Sequence, residues 1–355
     1  MPEFAAAYAD FRASVQVEID AFMARHEDDI LRISPELGPT LASLNALLSG
    51  GKRLRPACCY WGYLGAGGAD GPEIVRASAS LELLQASALI HDDVMDNSDT
   101  RRGLPAVHRQ FEALHAERDW RGASTDFGRA AAILIGDLAL VWTDLMLDES
   151  GFPAEVLARM KPVFDVMRTE LMAGQFLDVL EQARGGGSVE RALRVMRFKT
   201  TAYTIERPLH LGAALAGAPA SVFETYSAFG VPLGEAFQLR DDVLGVFGDP
   251  AETGKPAGDD VREGKRTVLI AIAHERADTA QRDVLDSLVG DASLDADGLE
   301  AVRAVLRDTG ALAEVEGRIA ADRELAVAAI EAGSLQPDAA AALCSIALAA
   351  TERTT

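Results

Sequence analysis

Residues 81–103 read LELLQASALIHDDVMDNSDTRRG. The first half has helix-forming apolar residues and no Gly or Pro, so the spacing predicts a buried helix. Asp92, Asp93, Asp96 and Asp99 then arrive together, followed by Arg101 and Arg102. Asp92 and Asp96 are one helical turn apart, which puts their Cβ atoms roughly 5–6 Å from each other and sets two like charges in repulsion. Taken alone, such a segment reads most simply as a solvated acidic helix end. A second occurrence shifts the balance. Residues 237–250, FQLRDDVLGVFGDP, again run from an apolar helix into a carboxylate pair, Asp241 and Asp242.

Paired carboxylates without a His or Cys cluster are oxygen-only donors, which suit a hard cation such as Mg²⁺. The Arg pair behind the first cluster suits phosphate oxygens. The same arginines can instead form weak surface ion pairs with Asp96 and Asp99.

The whole chain frames these segments. Of its 355 residues 48% are hydrophobic, and the net charge is −21. Ala and Leu dominate and β-branched alternation is scarce, so an all-α fold is expected, in one domain over residues 1–355. The acidity excludes a nucleic-acid partner, which needs a basic surface. Cys58, Cys59 and Cys344 have neither metal nor disulfide spacing, and adjacent Cys58 and Cys59 read as small buried hydrophobes. The N-terminal segment carries acids where a signal peptide needs bases, and no run of 18 apolar residues stands out. No membrane span and a cytoplasmic location are therefore expected.

Helices are expected over about 3–31, 38–49, 55–65, from Pro72 through the first acidic cluster, then 104–118, 127–148 and 153–183. Others follow over 188–215, 219–248, 266–276, 279–290, 296–333 and 337–351. Residues 249–265 are the most loop-like stretch.

Basic residues are few, so their placement is informative. Lys52, Arg53 and Arg55 sit in a Gly-led loop ahead of a helix, where free N–H groups can also meet an anion. An exposed basic loop explains them equally well. Lys199 and Thr200 lie among apolar neighbours, and Gln175 and Asp178 interrupt a greasy stripe. Gln238 precedes Asp241 by three residues, and Lys255 and Lys265 follow in the loop.

GGKRLRP (50–56), LIHDDVMDNSDTRRG (89–103), GQFLD (174–178), FKT (198–200), FQLRDDVLGVFGDP (237–250) and TGKPAGDDVREGKRT (253–267) together resemble the trans-isoprenyl diphosphate synthases, or polyprenyl synthetases. The likeness is greatest to bacterial geranylgeranyl diphosphate synthases. It implies an isoprenoid-synthase helical bundle around a central hydrophobic cavity, usually as a homodimer. It further implies an enzyme condensing isopentenyl diphosphate with an allylic diphosphate (dimethylallyl, geranyl or farnesyl) by Mg-assisted ionisation, condensation and elimination.

By the same resemblance, Asp92 and Asp96 hold two Mg²⁺ ions, Asp93 shapes that cluster and Asp178 joins it. Asp241, supported by Asp242, holds a third ion, with Mn²⁺ able to substitute. Arg101, Lys199 and Lys255 contact the allylic diphosphate, with Lys265 nearby. Lys52, Arg55, Arg102 and Gln85 bind isopentenyl diphosphate alongside Arg53, and Thr200 and Gln238 place oxygens near the cation, with Gln175 in the same site. The second motif departs from the usual DD-x-x-D, because Gly245 stands at the last acidic position.

The resemblance also implies a C20 product: many relatives that stop at C15 place an aromatic at the Ser87 position, whereas Ser87 and Ala88 here are small, with Leu84 a turn, about 5.4 Å, further back. Phe164, Met167 and Met172 are expected to supply other walls. A farnesyl or longer-chain synthase is the nearest alternative. A class I terpene cyclase would carry N-x-x-x-S/T-x-x-x-E instead of Asp241 and Asp242, and a regulatory subunit tends to lose an acidic motif.

Overall fold

Phe11, Val15, Ile19 and Phe22 recur every three or four residues, fall on one face of a helix and are almost wholly buried. That helix, α1 (Pro2–Ile33), lays this face on α4 (Pro72–Asp96). Burying each such side chain contributes about 1.5–3 kcal/mol. The computed structural model describes residues 2–184, 188–248 and 258–352, and the fold is all-α.

The chain packs into two compact units, residues 1–60 with 69–157, and residues 61–68 with 158–355. In the first, α4 lies against α1, α2 (Gly38–Leu48), α5 (Val107–Glu117) and α6 (Ser124–Asp148), while α3 (Leu54–Gly65) begins there. Pro72 opens α4 with its fixed φ, and Asn97 closes it in the left-handed region at φ 55°. Phe22 meets Trp142 of α6 edge-on, with 5.7 Å between centroids. Helix α6 has the length and mean hydropathy of a membrane span, 1.8, and about half of it, 44%, is buried within the fold.

The second unit holds α7 (Ala154–Arg184), α8 (Val189–Met196), a π-helical segment (Arg197–Glu206), α9 (Arg207–Ala216) and α10 (Ala220–Phe247). It continues with α11 (Asp259–Arg262), α12 (Val268–Arg276), α13 (Thr279–Leu288), α14 (Ala296–Asp308), α15 (Ala311–Ala332) and α16 (Pro337–Thr351). Helix α10 is its axis, packed on α15 and on the π-helical segment. Leu239, Val243 and Val246 of α10 share one core with Leu269, Ile272 and Val302.

Three expected elements differ, each for a local reason. Residues 100–105 are a small antiparallel ribbon, β1 (Thr100–Arg101) with β2 (Leu104–Pro105), so α5 starts only at Val107. Arg102 and Gly103 make its turn at φ 55° and 75°, the conformation a two-residue hairpin requires. The helix expected over 296–333 breaks at Gly310, whose φ of 73° ends one helix and starts the next. The helix expected over 188–215 contains the π-helical segment.

Cys58 and Cys59 are wholly buried, and burial pushes the Cys59 thiol up to about 12 and the Cys58 thiol higher still. Cys344 is only partly buried. Titration with a disulfide reagent at pH 8 should therefore find at most one reactive thiol in the native chain and all three in guanidinium.

Candidate active site

In the first unit, α4 presents a half-buried line of Gln85, Ala88, Asp92 and Asp96, residues three, four and four apart on one face. Asp93 points elsewhere and is almost wholly buried. Its carboxylate accepts from Arg101 Nε at 2.9 Å and from Arg101 Nη2, and Arg101 Nη2 is 3.7 Å from Asp92. Both oxygens of Asp96 are shielded from solvent. Asp99 is paired with Arg109 at 2.9 Å, while Arg101, of the two adjacent arginines, is directed to Asp92 and Asp93. Leu84 and Ser87 are fully buried, off the Asp92 line, whereas Ala88 lies directly beneath Asp92.

The basic loop is held by its carbonyls. Arg102 Nη1 donates to Leu47 O at 2.7 Å and Gly50 O at 2.9 Å. From α1, Arg12 donates to Gly51 O at 3.2 Å and the Tyr8 hydroxyl to Lys52 O at 2.7 Å. Arg53 is not displayed at all. It is 3% exposed, sits at φ 56°, and spends its guanidinium on Glu82, Gln16 and Leu48 O. Its buried pair with Glu82 braces the loop, while Lys52 is exposed and Arg55 half-buried. Arg102 has its pKa lowered by burial, and the neighbouring arginines Arg53, Arg101 and Arg55 act in the same direction against Glu82.

In the second unit, Lys199 Nζ donates to Asp178 Oδ2 of α7 at 2.6 Å. Gly174, one turn before Asp178, lies so close to the Lys199 backbone that a Cβ there would collide with Lys199 N. Gln175, Thr200 and Asp241 are half-buried. Phe164 and Met167 are wholly buried, but Met172 is 45% exposed. Asp242 is buried and accepts from Gln238 Nε2 at 2.8 Å. Burial pushes its carboxyl up to about 8, and Asp260 and Asp241 add to the rise against the bonds from Gln238 and the Val268 N–H. Lys265 pairs with Asp260 at 3.4 Å and with Glu263. Lys255 lies outside the described residues.

Both acidic helix ends thus offer carboxylate oxygens whose mutual repulsion a divalent cation relieves, with no soft ligand among them. That donor set fits Mg²⁺.

The polyprenyl synthetase family model matches residues 40–306, which takes in the basic loop and both acidic helix ends. The chain belongs to the polyprenyl synthetase family. It is 42% identical to a geranylgeranyl pyrophosphate synthase from Corynebacterium glutamicum, solved with isoprenyl diphosphate and magnesium. The two structures agree with a TM-score of 0.94 over 98% of this chain and 99% of the other. A geranylfarnesyl diphosphate synthase from Aeropyrum pernix is 33% identical over 82% of this chain and 86% of its own length. A geranylgeranyl diphosphate synthase from Saccharolobus solfataricus is 30% identical over 75% of each.

For a polyprenyl synthetase the departure at Gly245 now has a physical reason. The Asp260 carboxylate fills the space where a Cβ of residue 245 would stand. The Gly258 N–H donates to Gly245 O at 3.2 Å and fastens that segment to α10. An acid has reached the spot from another helix, and only Gly leaves it room. Sequence reading passed over Asp260, and the missing acid in DD-x-x-G was the signal that could have found it. Gly245→Asp, which writes the common motif back in, should therefore destabilise the protein by about 1–3 kcal/mol through overpacking. Thermal melts should show a lower Tm, and turnover should fall and not rise.

Proposed function

We propose that this prenyltransferase makes a C20 product, geranylgeranyl diphosphate, by adding isopentenyl diphosphate to allylic diphosphates. The observation that carries the reading is the line Ala88–Asp92 on α4. A prenyl chain whose diphosphate is held at Asp92 and Asp96 grows along that face, and Ala88 leaves its first turn open. The C20 assignment is further supported by the 42% identity to the Corynebacterium glutamicum enzyme.

Magnesium, when bound, supplies positive charge against the leaving diphosphate. Asp92 and Asp96 would hold two ions and Asp241 a third, with Asp178 joining the first pair and Mn²⁺ able to substitute. The side chains do the rest. Arg101, fixed by Asp93, and Lys199, fixed by Asp178, would each offer a permanent cation to the allylic diphosphate. Lys52 and Arg55 take the diphosphate of isopentenyl diphosphate on a loop that Arg53, Arg102, Arg12 and Tyr8 hold rigid. The allylic C–O bond breaks, the isopentenyl double bond attacks the cation, and diphosphate accepts the proton that is lost.

The enzyme acts as a homodimer through α6. Phe127, Leu134 and Val141 fall seven residues apart on one face and are 36%, 67% and 64% exposed. Such a stripe is the seam along which helices pair. Leu134→Glu with Val141→Glu should yield monomers in sedimentation, and the parent chain should sediment as a dimer.

Two substitutions test the chemistry. Asp92→Ala should lower turnover at least about 100-fold with an unchanged circular dichroism spectrum, because the helix gains nothing from a repulsive pair. Ala88→Phe should shift the product to C15 in chromatography of the dephosphorylated prenols. An unchanged C20 product would place the growing chain elsewhere.

A further inference from the structure

The segment Arg197–Glu206 is ten residues of π-helix between α8 and α9. Such turns carry one residue more than an α-helix and are rare, so something must hold them open. Here the two ends are tied together. Arg197 Nη2 donates to Glu206 Oε2 at 2.6 Å, so the first and last residues of the segment form one ion pair. Glu206 is 3% exposed, and its second oxygen accepts from Ser227 Oγ at 2.8 Å. Burial works against the Glu206 charge, yet Arg197, Ser227, Arg207 and His210 together hold its carboxyl below the ordinary range. Arg207 is anchored in turn on Glu170 by two bonds of 2.7 Å.

The widened backbone is also gripped from outside. A Cβ at Gly230 would lie 2.9 Å from Glu206 Cα, and one at Gly234 would lie 2.7 Å from Thr201 Cγ2. With Gly174 against Lys199 on the other side, helices α7 and α10 clasp the segment through three side-chain-free positions. Residues 201–206 are buried, whereas 197–200, with Lys199 and Thr200, are half-exposed.

We propose that the Arg197–Glu206 pair is a clamp that keeps this segment π-helical and so aims Lys199 and Thr200 at the allylic diphosphate. Collapse to an α-helix would remove one residue from the register. Each side chain on one side of the change would then turn by about 100°, carrying Lys199 off Asp178. Glu206 and Arg197 are positioning residues, since they act through Lys199. The inference rests on the reading that Lys199 binds the allylic substrate.

The test compares Arg197→Met, Glu206→Gln, the double variant and Lys199→Ala, with Arg197→Lys as the conservative change. Each is assayed for KM of farnesyl diphosphate, KM of isopentenyl diphosphate, kcat and amide exchange over 197–206. The clamp predicts that either single change raises the farnesyl diphosphate KM about tenfold or more and leaves the isopentenyl diphosphate KM within twofold. The double variant should be no worse than the singles, exchange should quicken over 197–206, and Arg197→Lys should recover part of the loss. Unchanged exchange there, additive losses in the double variant, or parallel rises in both KM values would overturn it. If Lys199→Ala leaves the farnesyl diphosphate KM unchanged, the role of Lys199 is wrong, and the exchange and the double variant still decide whether the clamp exists.

Discussion

Carboxylates a helical turn apart repel, and this protein keeps several of them in place by tying some to fixed partners. Asp93 is held by Arg101, Asp178 by Lys199, Asp242 by Gln238 and Asp260 by Lys265. Each tie has a double effect. It supplies a hydrogen bond to a carboxylate that burial would otherwise penalise, and it fixes the direction of the donor that makes it. Asp92 and Asp241 thus each stand beside an acid, Asp93 or Asp242, that already has a partner.

The basic loop follows the same logic with the signs exchanged. An acidic chain has few arginines to place, and Arg53 and Arg102 are used on backbone carbonyls rather than displayed. The carbonyls of 47, 50, 51 and 52 end on side chains from other parts of the first unit, and that of 48 on Arg53 of the loop itself. A loop built this way loses little entropy when an anion arrives, because its backbone is already ordered.

Much of this was legible in the sequence, and what was not has a common cause. The helices, the two acidic ends and the family follow from local signals: apolar spacing, Gly and Pro punctuation, and carboxylates one turn apart. The hidden features depend on contacts distant in sequence. Nothing around Gly245 says that Asp260 fills its side-chain space, and nothing in GGKRLRP says that Glu82 captures Arg53. Ser87 and Ala88 are equally small, and only the packing of α4 shows that Ser87 is fully buried while Ala88 stays half-exposed on the Asp92 line. The π-helical segment is invisible for a related reason: no Gly or Pro marks it, and the extra residue is held by the Arg197–Glu206 pair and by three glycines on other helices.

The ribbon at residues 100–105 sets adjacent Arg101 and Arg102 to opposite tasks, one on the acidic end of α4 and the other on the carbonyls of the loop after α2. The strand ends at Arg101 and Arg102 opens the turn in the left-handed region, so neighbouring guanidiniums leave the ribbon in different directions. One dipeptide thus braces two basic or acidic regions through separate contacts, so a change confined to either arginine leaves the other's partners in place.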